Sequence, residues 1–219
     1  MLDKWLNKLE RKFGRYSIPN LMYIIIFGMA IVFVMDNIVC PATGRVLLSP
    51  MIYFNKAEIL SGQIWRIITF IFLPEGNSAF FLIFELYFLW LMGSALESQW
   101  GTFKFNMYYL TGIVATIITG ILVGGATNVY LNLTLFLAFA ILNPDFQIML
   151  FFILPIKVKY IAILDAVILT YSFVVSSWQY KLILLVAVAN LVLFFGENLF
   201  MRIKQMYRRY KIKKTNNRK

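Results

Sequence analysis

The sequence predicts an all-α integral membrane protein, a bundle of six transmembrane helices preceded by an amphipathic helix on the membrane surface. Three observations carry this prediction. Of the 219 residues, 61% are hydrophobic, whereas soluble domains contain about 45–50% apolar residues. Apolar runs of roughly the 20 residues that a span requires recur along the chain. The net charge of +11 is concentrated at the two ends, as expected of segments kept on the cytoplasmic side.

Residues 1–18 are predicted to form an amphipathic helix at the cytoplasmic interface. Leu2, Trp5, Leu6, Leu9 and Phe13 recur at three- and four-residue steps, with lysines and arginines between them. A helix with this pattern buries its apolar side among the lipid headgroups and keeps its basic side in water.

A membrane domain is predicted over residues 19–201, followed by a basic cytoplasmic tail over 202–219. The six predicted spans are 20–40, 78–96, 104–123, 127–143, 161–176 and 181–201. Two further apolar stretches, 41–75 and 146–156, are broken by prolines and polar residues or are too short to cross. They are predicted to be interfacial or re-entrant pieces, which are tolerated where protein covers their backbone.

The distribution of basic residues predicts the orientation. Six spans place both termini on one side, and if that side is cytoplasmic it collects 17 lysines and arginines against 4 outside. The partners expected are the lipid bilayer and, at the basic termini, anionic lipid headgroups; no nucleic acid is expected. The frequent isoleucine, lysine and asparagine suggest an AT-rich bacterial genome, and hence the bacterial plasma membrane.

The composition also limits the chemistry. The chain has no histidine, which removes the commonest general base and metal ligand. Its one cysteine, Cys40, cannot form a disulfide within the chain. The sequence contains no glycine-rich phosphate loop and no metal-spaced Cys/His set, so neither a cofactor nor a metal is expected.

Polar side chains within apolar spans are costly, and each is therefore a candidate functional residue. The candidates are Asp36, Glu85, Asn128, Asn132, Asp165, Asn190 and Glu197. Glu85 carries the highest expected free-energy cost of burial, because it lies within the apolar run AFFLIFELYFLWL. A structural hydrogen-bond network is the favoured interpretation, and a proton or cation path is the alternative.

A second pattern concerns helix packing. Gly112, Thr116, Gly120 and Gly124 follow one another at four-residue spacing in the third span. Small residues at this spacing form a smooth stripe that allows two helices to approach closely.

Two motifs flank the second span. Trp65 and Arg66 lie in GQIWRIITFIFLP, and Gly93, Glu97 and Gly101 form a G-x-x-x-E-x-x-x-G pattern in GSALESQWG. This order resembles that of the rhomboid superfamily, over residues 20–201. The resemblance implies a six-helix rhomboid-like bundle in which these five residues are scaffold. Gly93 and Gly101 are expected to allow close helix approach, and Glu97 to accept hydrogen bonds at a cytoplasmic turn.

Active rhomboids cleave transmembrane substrates with a serine on the fourth span and a histidine on the sixth. Here no serine occurs between Ser98 and Ser172, and Asn190 stands near the histidine position. By the motif spacing, Glu85 takes the place of an oxyanion-stabilising asparagine, where a carboxylate would oppose the developing charge.

The function expected from this resemblance is that of a Derlin-like pseudoprotease, which is not an enzyme. It would bind transmembrane helices of client or partner membrane proteins without cleaving them, in quality control, trafficking or assembly. The alternatives are a rhomboid-type intramembrane serine protease and a proton- or cation-linked transporter.

Overall fold

The computed structural model describes residues 2–76, 78–150 and 154–216. The chain is predominantly helical. The helices are α1 (Leu2–Phe13), α2 (Leu21–Val34), α3 (Cys40–Thr43), α4 (Ser49–Ile52), α5 (Lys56–Leu60), α6 (Arg66–Thr69), α7 (Ala79–Trp100), α8 (Thr102–Val123), α9 (Val129–Leu142), α10 (Val158–Val175) and α11 (Trp178–Asn216). A π-helical turn, Met35–Val39, joins α2 to α3, and 3₁₀ turns cover Gly14–Tyr16 and Phe70–Phe72.

Five of the six predicted spans correspond to helices that are long and apolar enough to cross a membrane. These are Leu21–Thr43, Ala79–Trp100, Thr102–Val123, Val158–Val175 and Trp178–Gly196. The remaining one, α9, has 14 residues, which is fewer than the roughly 20 that a full crossing requires. Most of its side chains from Leu131 onward are buried, and it packs against α7, α8, α10 and α11. The protein is therefore a helical membrane protein with a short helix among its spans.

Contacts between the ends of the long helices show that they alternate in direction. At one end, called the Gly101 end, the backbone of Asn20 contacts Glu97 and Gln99 contacts Asn143. At the other, called the Arg66 end, strand β1 (Phe54–Asn55) pairs antiparallel with β2 (Gly125–Ala126), between α8 and α9. The start of the first span lies at the Gly101 end. The end of the last apolar segment lies there too, because Phe195 contacts Trp100.

An aromatic cluster joins three helices at the Gly101 end. The rings of Trp100 and Phe195 stack with centroids 4.1 Å apart, and Tyr108 meets Phe195 edge-on at 5.5 Å. Tyr108 and Phe195 are almost completely buried. Aromatic pairs of this kind add to the packing free energy beyond the area that they bury.

Two regions outside the long helices have their own folds. Residues 41–75 form short helices rather than a span, as the prolines predicted. In the region of the predicted segment 146–156, strand β3 (Gln147–Leu150) pairs antiparallel with strand β4 (Leu154–Lys157), and this strand pair is called the hairpin. The predicted boundary at residue 201 is not an element boundary, because α11 runs through Asn216.

Candidate functional site

Arg66 holds together the segment between the first two long helices, residues 44–78, which is called the first loop. Its side chain is 5% exposed. Nη1 donates to the carbonyl oxygens of Pro50 at 2.8 Å and Tyr53 at 3.0 Å, and Nε donates to Oε1 of Gln63 at 2.8 Å. The guanidinium carbon also lies 5.0 Å from the centre of the Tyr53 ring. These contacts tie residues 50–53 to α6.

The neighbouring residue Trp65 strengthens the same connection. Its indole Nε1 donates to the carbonyl of Met51 at 3.1 Å, while half of the side chain remains exposed. Thr69, one turn further on, donates to the carbonyl of Ile52 at 2.9 Å. The backbone carbonyls of four successive residues, 50–53, therefore accept hydrogen bonds from side chains at the start and along the length of α6.

Glu97 connects the second span to the start of the first. Its Oε1 accepts a hydrogen bond of 2.9 Å from the backbone N–H of Asn20. Asn20 precedes α2 and has a left-handed backbone conformation with φ of 56°. The carboxylate thus satisfies one of the N–H groups that a helix start leaves unpaired.

The two glycines of the motif have different roles. Gly93 allows close approach, because a Cβ there would collide with the side chain of Met22 on α2. At Gly101 a Cβ would meet no atom of the described residues within 4 Å, so the expectation of close packing is wrong at this position for that part of the chain. Gly101 has a φ of 85°, a backbone conformation that is unfavourable for residues with a Cβ. It forms the one-residue turn between α7 and α8.

The central feature at the Arg66 end is a cluster of two carboxylates and two amides. Both oxygens of Glu85 accept from the backbone N–H of Glu75, at 3.3 and 3.2 Å. Oε1 of Glu75 accepts from Nδ2 of Asn132 at 3.2 Å. Asn128, which is buried, donates Nδ2 to the carbonyls of Ile71 at 3.2 Å and Leu73 at 2.8 Å. We call Glu75, Glu85, Asn128 and Asn132 the acidic–amide cluster.

The acidic–amide cluster contains three residues predicted from the sequence and one, Glu75, that was missed. Glu75 joins Glu85 to Asn132, whereas Asn128 binds carbonyls slightly earlier in the same segment. Glu75 follows Pro74 in a loop, where an exposed carboxylate gives no unusual sequence signal. Its pairing with Asn132 spans 57 positions along the chain. The cluster offers carboxylate oxygens to a hydrogen-bond donor or a cation. Within the described residues, no group of three or more His, Cys, Asp and Glu side chains could hold a metal ion.

Asn190 belongs to a different environment. Its Oδ1 accepts from Thr111 at 3.0 Å, and its Nδ2 donates to the carbonyl of Tyr108 at 3.3 Å. Beside it lies a cavity of about 10 Å³, between α8, α9 and α11. A cavity of this size accommodates about one water molecule. Asn190 thus joins α11 to α8 through hydrogen bonds.

The remaining intramembrane candidates differ in their surroundings. Asp36 accepts from the backbone N–H groups of Leu48 and Ser49 and from the Ser49 hydroxyl. Asp165 is half-buried at the eighth position of α10, and no hydrogen bond joins it to another residue within the described ranges. Glu197 lies outside the residues whose side chains are described.

The small-residue stripe of α8 contacts its neighbours over part of its length. A Cβ at Gly112 would collide with Leu131 of α9, and one at Gly120 would collide with Ala126 and Phe54. Thr116 lies between them and lines the cavity next to Asn190. Gly124 departs from the prediction, since it ends α8 with φ of 104° and has open space around it.

Ion pairs connect the hairpin and the start of α10 to Asp145, which precedes the hairpin. The Asp145 carboxylate lies 2.9 Å from Nζ of Lys159 and 3.6 Å from Nζ of Lys157. The hydrogen bond from Lys159, followed by its positive charge, lowers the pKa of Asp145 below its ordinary value.

The chain matches no family model and is not significantly similar to any curated protein. The resemblance to rhomboids therefore depends on the five scaffold residues and the order of the spans.

Proposed function

We propose that this chain is a rhomboid-like pseudoprotease that binds transmembrane helices of other proteins laterally and does not cleave them. The proposal begins from the five scaffold residues, in the family's order, and from the absence of histidine from the sequence. Without a serine in the relevant stretch and without a base to activate one, the family's hydrolytic mechanism has no nucleophile.

The observation that carries the proposal is Asp165 on α10. Within α10, all of whose residues are described, Val158 alone is buried. Asp165 lies about 10 Å along the helix from its first residue, well inside the hydrocarbon region if α10 crosses the bilayer. A carboxyl group at that depth is costly unless it has a polar partner. A client helix that supplies a hydrogen-bond donor or a cation would provide that partner.

The acidic–amide cluster supports the same function. Glu85 stands where the family's enzymes would stabilise an oxyanion, and its carboxylate is suited to accept hydrogen bonds from a donor instead. The second span also presents large apolar side chains, since Phe81 and Ile83 are more than half exposed. A client with an apolar surface and a few polar residues would match both helices.

Site-specific photocrosslinking in native membranes tests this function. A photoreactive amino acid at Ile168 on α10, or at Phe81 on α7, is expected to trap helical membrane proteins. The same amino acid at Ile118, an exposed position of α8, serves as the control and should trap fewer. Asp165→Leu should reduce the adducts formed from Ile168. The proposal is overturned if neither α7 nor α10 yields adducts above the Ile118 level under several growth conditions.

A serine-directed fluorophosphonate probe tests the hydrolase alternative on the same purified protein. The pseudoprotease proposal expects no labelling, and covalent labelling of a serine or threonine would favour a protease.

A second candidate function is proton- or cation-linked transport. The observation that favours it is the hydrogen bond from the backbone N–H of Glu75 to the Glu85 carboxylate, which brings two acidic residues together near one end of the bundle. Reconstitution into liposomes tests this alternative directly. A proton or cation flux in the wild type that is lost in Glu85→Gln would favour transport, and equal flux in protein-free liposomes would exclude it.

A further inference from the structure

The Gly101 end contains an apolar pocket between the N-terminal segment and α8. Its volume is about 200 Å³, which exceeds that of an engineered apolar cavity of roughly 150 Å³ that binds benzene. Phe13, Tyr16 and Ile18 line one side, and Phe103 and Met107 line the other. The walls are apolar enough to receive hydrocarbon.

One polar group in this pocket lacks a partner. Asn106 also lines it and is 5% exposed. Its Nδ2 donates to the carbonyl of Ile18 at 3.0 Å, but among the described residues Oδ1 has no hydrogen-bond donor. The contact with a carbonyl fixes the orientation of the amide, because the flipped form would place two acceptors against each other. Leaving such an acceptor buried and unpaired is unfavourable, so the pocket favours an occupant with a donor.

The surroundings of the pocket are basic. The Lys12 ammonium lies 5.4 Å from the centre of the Phe13 ring, and Phe13 lines the pocket. Arg15 is exposed in the 3₁₀ turn between Phe13 and Tyr16, and Lys104 follows Phe103 on α8. Positive charge at this position favours an anionic group at the mouth of the pocket.

The depth of Asn106 also agrees with a lipid headgroup. Asn106 is the fifth residue of α8, about 6 Å along the axis from the first. The headgroup region of each leaflet is roughly 5–8 Å thick. A headgroup hydroxyl and the Asn106 amide therefore lie at the same depth, and the apolar walls are left for the acyl chain.

From these observations we infer that the pocket binds one anionic glycerophospholipid whose headgroup carries a hydroxyl donor. The hydroxyl donates to Oδ1 of Asn106, the phosphate lies near Lys12, and part of an acyl chain packs between Phe103 and Tyr16. The inference does not depend on the proposed function, since the pocket is at the opposite end of the bundle from the acidic–amide cluster.

Photoactivatable lipids in phosphatidylcholine vesicles test the inference on the full chain. Three probes with the same diazirine-bearing acyl chain are compared: phosphatidylglycerol, phosphatidylmethanol and phosphatidylcholine. Phosphatidylmethanol is anionic but has no hydroxyl donor, so it separates the hydrogen bond from the charge. Adducts are mapped by peptide mass spectrometry and are expected within residues 13–21 and 103–110.

Phosphatidylglycerol is expected to label these peptides about fivefold more than phosphatidylmethanol, the effect of one hydrogen bond. Asn106→Leu should reduce phosphatidylglycerol labelling to the phosphatidylmethanol level. Lys12→Gln, at an exposed position, should reduce both anionic probes and leave phosphatidylcholine unchanged. Ile118→Trp, on the same helix but outside the pocket, is the control that should alter none of them.

Equal labelling of the wild-type protein by phosphatidylglycerol and phosphatidylmethanol would by itself overturn the inference, so no variant is needed for this test. Adducts confined to other peptides would also overturn it, because the occupant would then be an ordinary surrounding lipid. If Asn106→Leu fails to fold, the wild-type comparison and Lys12→Gln still decide the result.

Discussion

The carboxylate of Glu97 and the backbone N–H of Asn20 form a 2.9 Å hydrogen bond between residues 77 positions apart in sequence. Asn20 has a left-handed conformation at the start of α2. The contact explains a glutamate at the end of an apolar helix, since it pairs a helix N–H group that would otherwise be unsatisfied near the membrane.

Glu97→Ala is expected to lower the stability of the protein in detergent by about 1–2 kcal/mol, because the N–H of Asn20 loses its acceptor. Glu97→Gln should lose less, since it retains an amide oxygen. Thermal unfolding followed by circular dichroism measures the difference. Ser98→Ala changes the next, exposed residue and is the control. A wild-type melting temperature for Glu97→Ala would contradict the capping role.

The contact between Gly93 and Met22 makes a second, independent prediction. Alanine favours a helix over glycine by about 1 kcal/mol, but at this position its Cβ would collide with Met22. Gly93→Ala alone should therefore destabilise the protein, since overpacking costs roughly 1–3 kcal/mol.

Met22→Ala removes Cγ, the closest obstructing atom, but leaves Cβ 2.9 Å away, so adding Gly93→Ala to it should destabilise the protein less than Gly93→Ala does alone. A double-mutant cycle of melting temperatures measures this coupling. Additive effects of the two substitutions would mean that the helices do not approach each other here.

Arg66 supports a third prediction. Arg66→Met leaves the carbonyls of Pro50 and Tyr53 without their donor, at an expected cost of about 3 kcal/mol. Arg66→Lys should be intermediate, because an ammonium cannot reproduce the planar fork of a guanidinium. Thermal unfolding and limited proteolysis of the first loop measure the effect. Arg45→Met replaces an exposed arginine of the same loop and should leave the stability unchanged. An equal loss of stability in Arg45→Met and Arg66→Met would contradict a specific role of the Arg66 hydrogen bonds.

Asp145 gives a pH-dependent prediction. Because the hydrogen bond from Lys159 holds the pKa of Asp145 below its ordinary value, folding favours the ionised carboxylate. Its stabilisation is fully present above the ordinary aspartate pKa of about 4 and is lost as the pH falls through the lower folded pKa. Asp145→Asn should remove this component, measured as the change in melting temperature between about pH 6 and pH 3. If the melting temperatures of Asp145→Asn and the wild type depend on pH in the same way, Asp145 does not contribute this stabilisation.

Several features were predictable from local sequence patterns. Hydropathy located the five helices that are long and apolar enough to cross a membrane, together with the shorter α9, and the prolines argued against a span in 41–75. The four motif residues Trp65, Arg66, Gly93 and Glu97 all make close structural contacts. These signals are local, because burial in lipid requires an apolar helix whatever its neighbours are.

Pairings between distant residues were not predictable. Nothing in the sequence indicated that Glu75, in a loop, would join Glu85 to Asn132, or that Asn190 would bond to α8 and not join the acidic–amide cluster. The chemistry of an amide or carboxylate does not specify its partner, which depends on how helices pack against one another.

The sequence by itself determined that this is a helical membrane protein and where its long apolar helices lie. The tertiary structure decided that α9 is short and mostly buried. It also decided that, among the described residues, Gly101 serves a turn and not a close contact and Asn106 has an unpaired oxygen beside an apolar pocket. The physical reason is that hydropathy acts along the chain, whereas burial, cavities and unsatisfied polar groups exist only once separate segments are brought together.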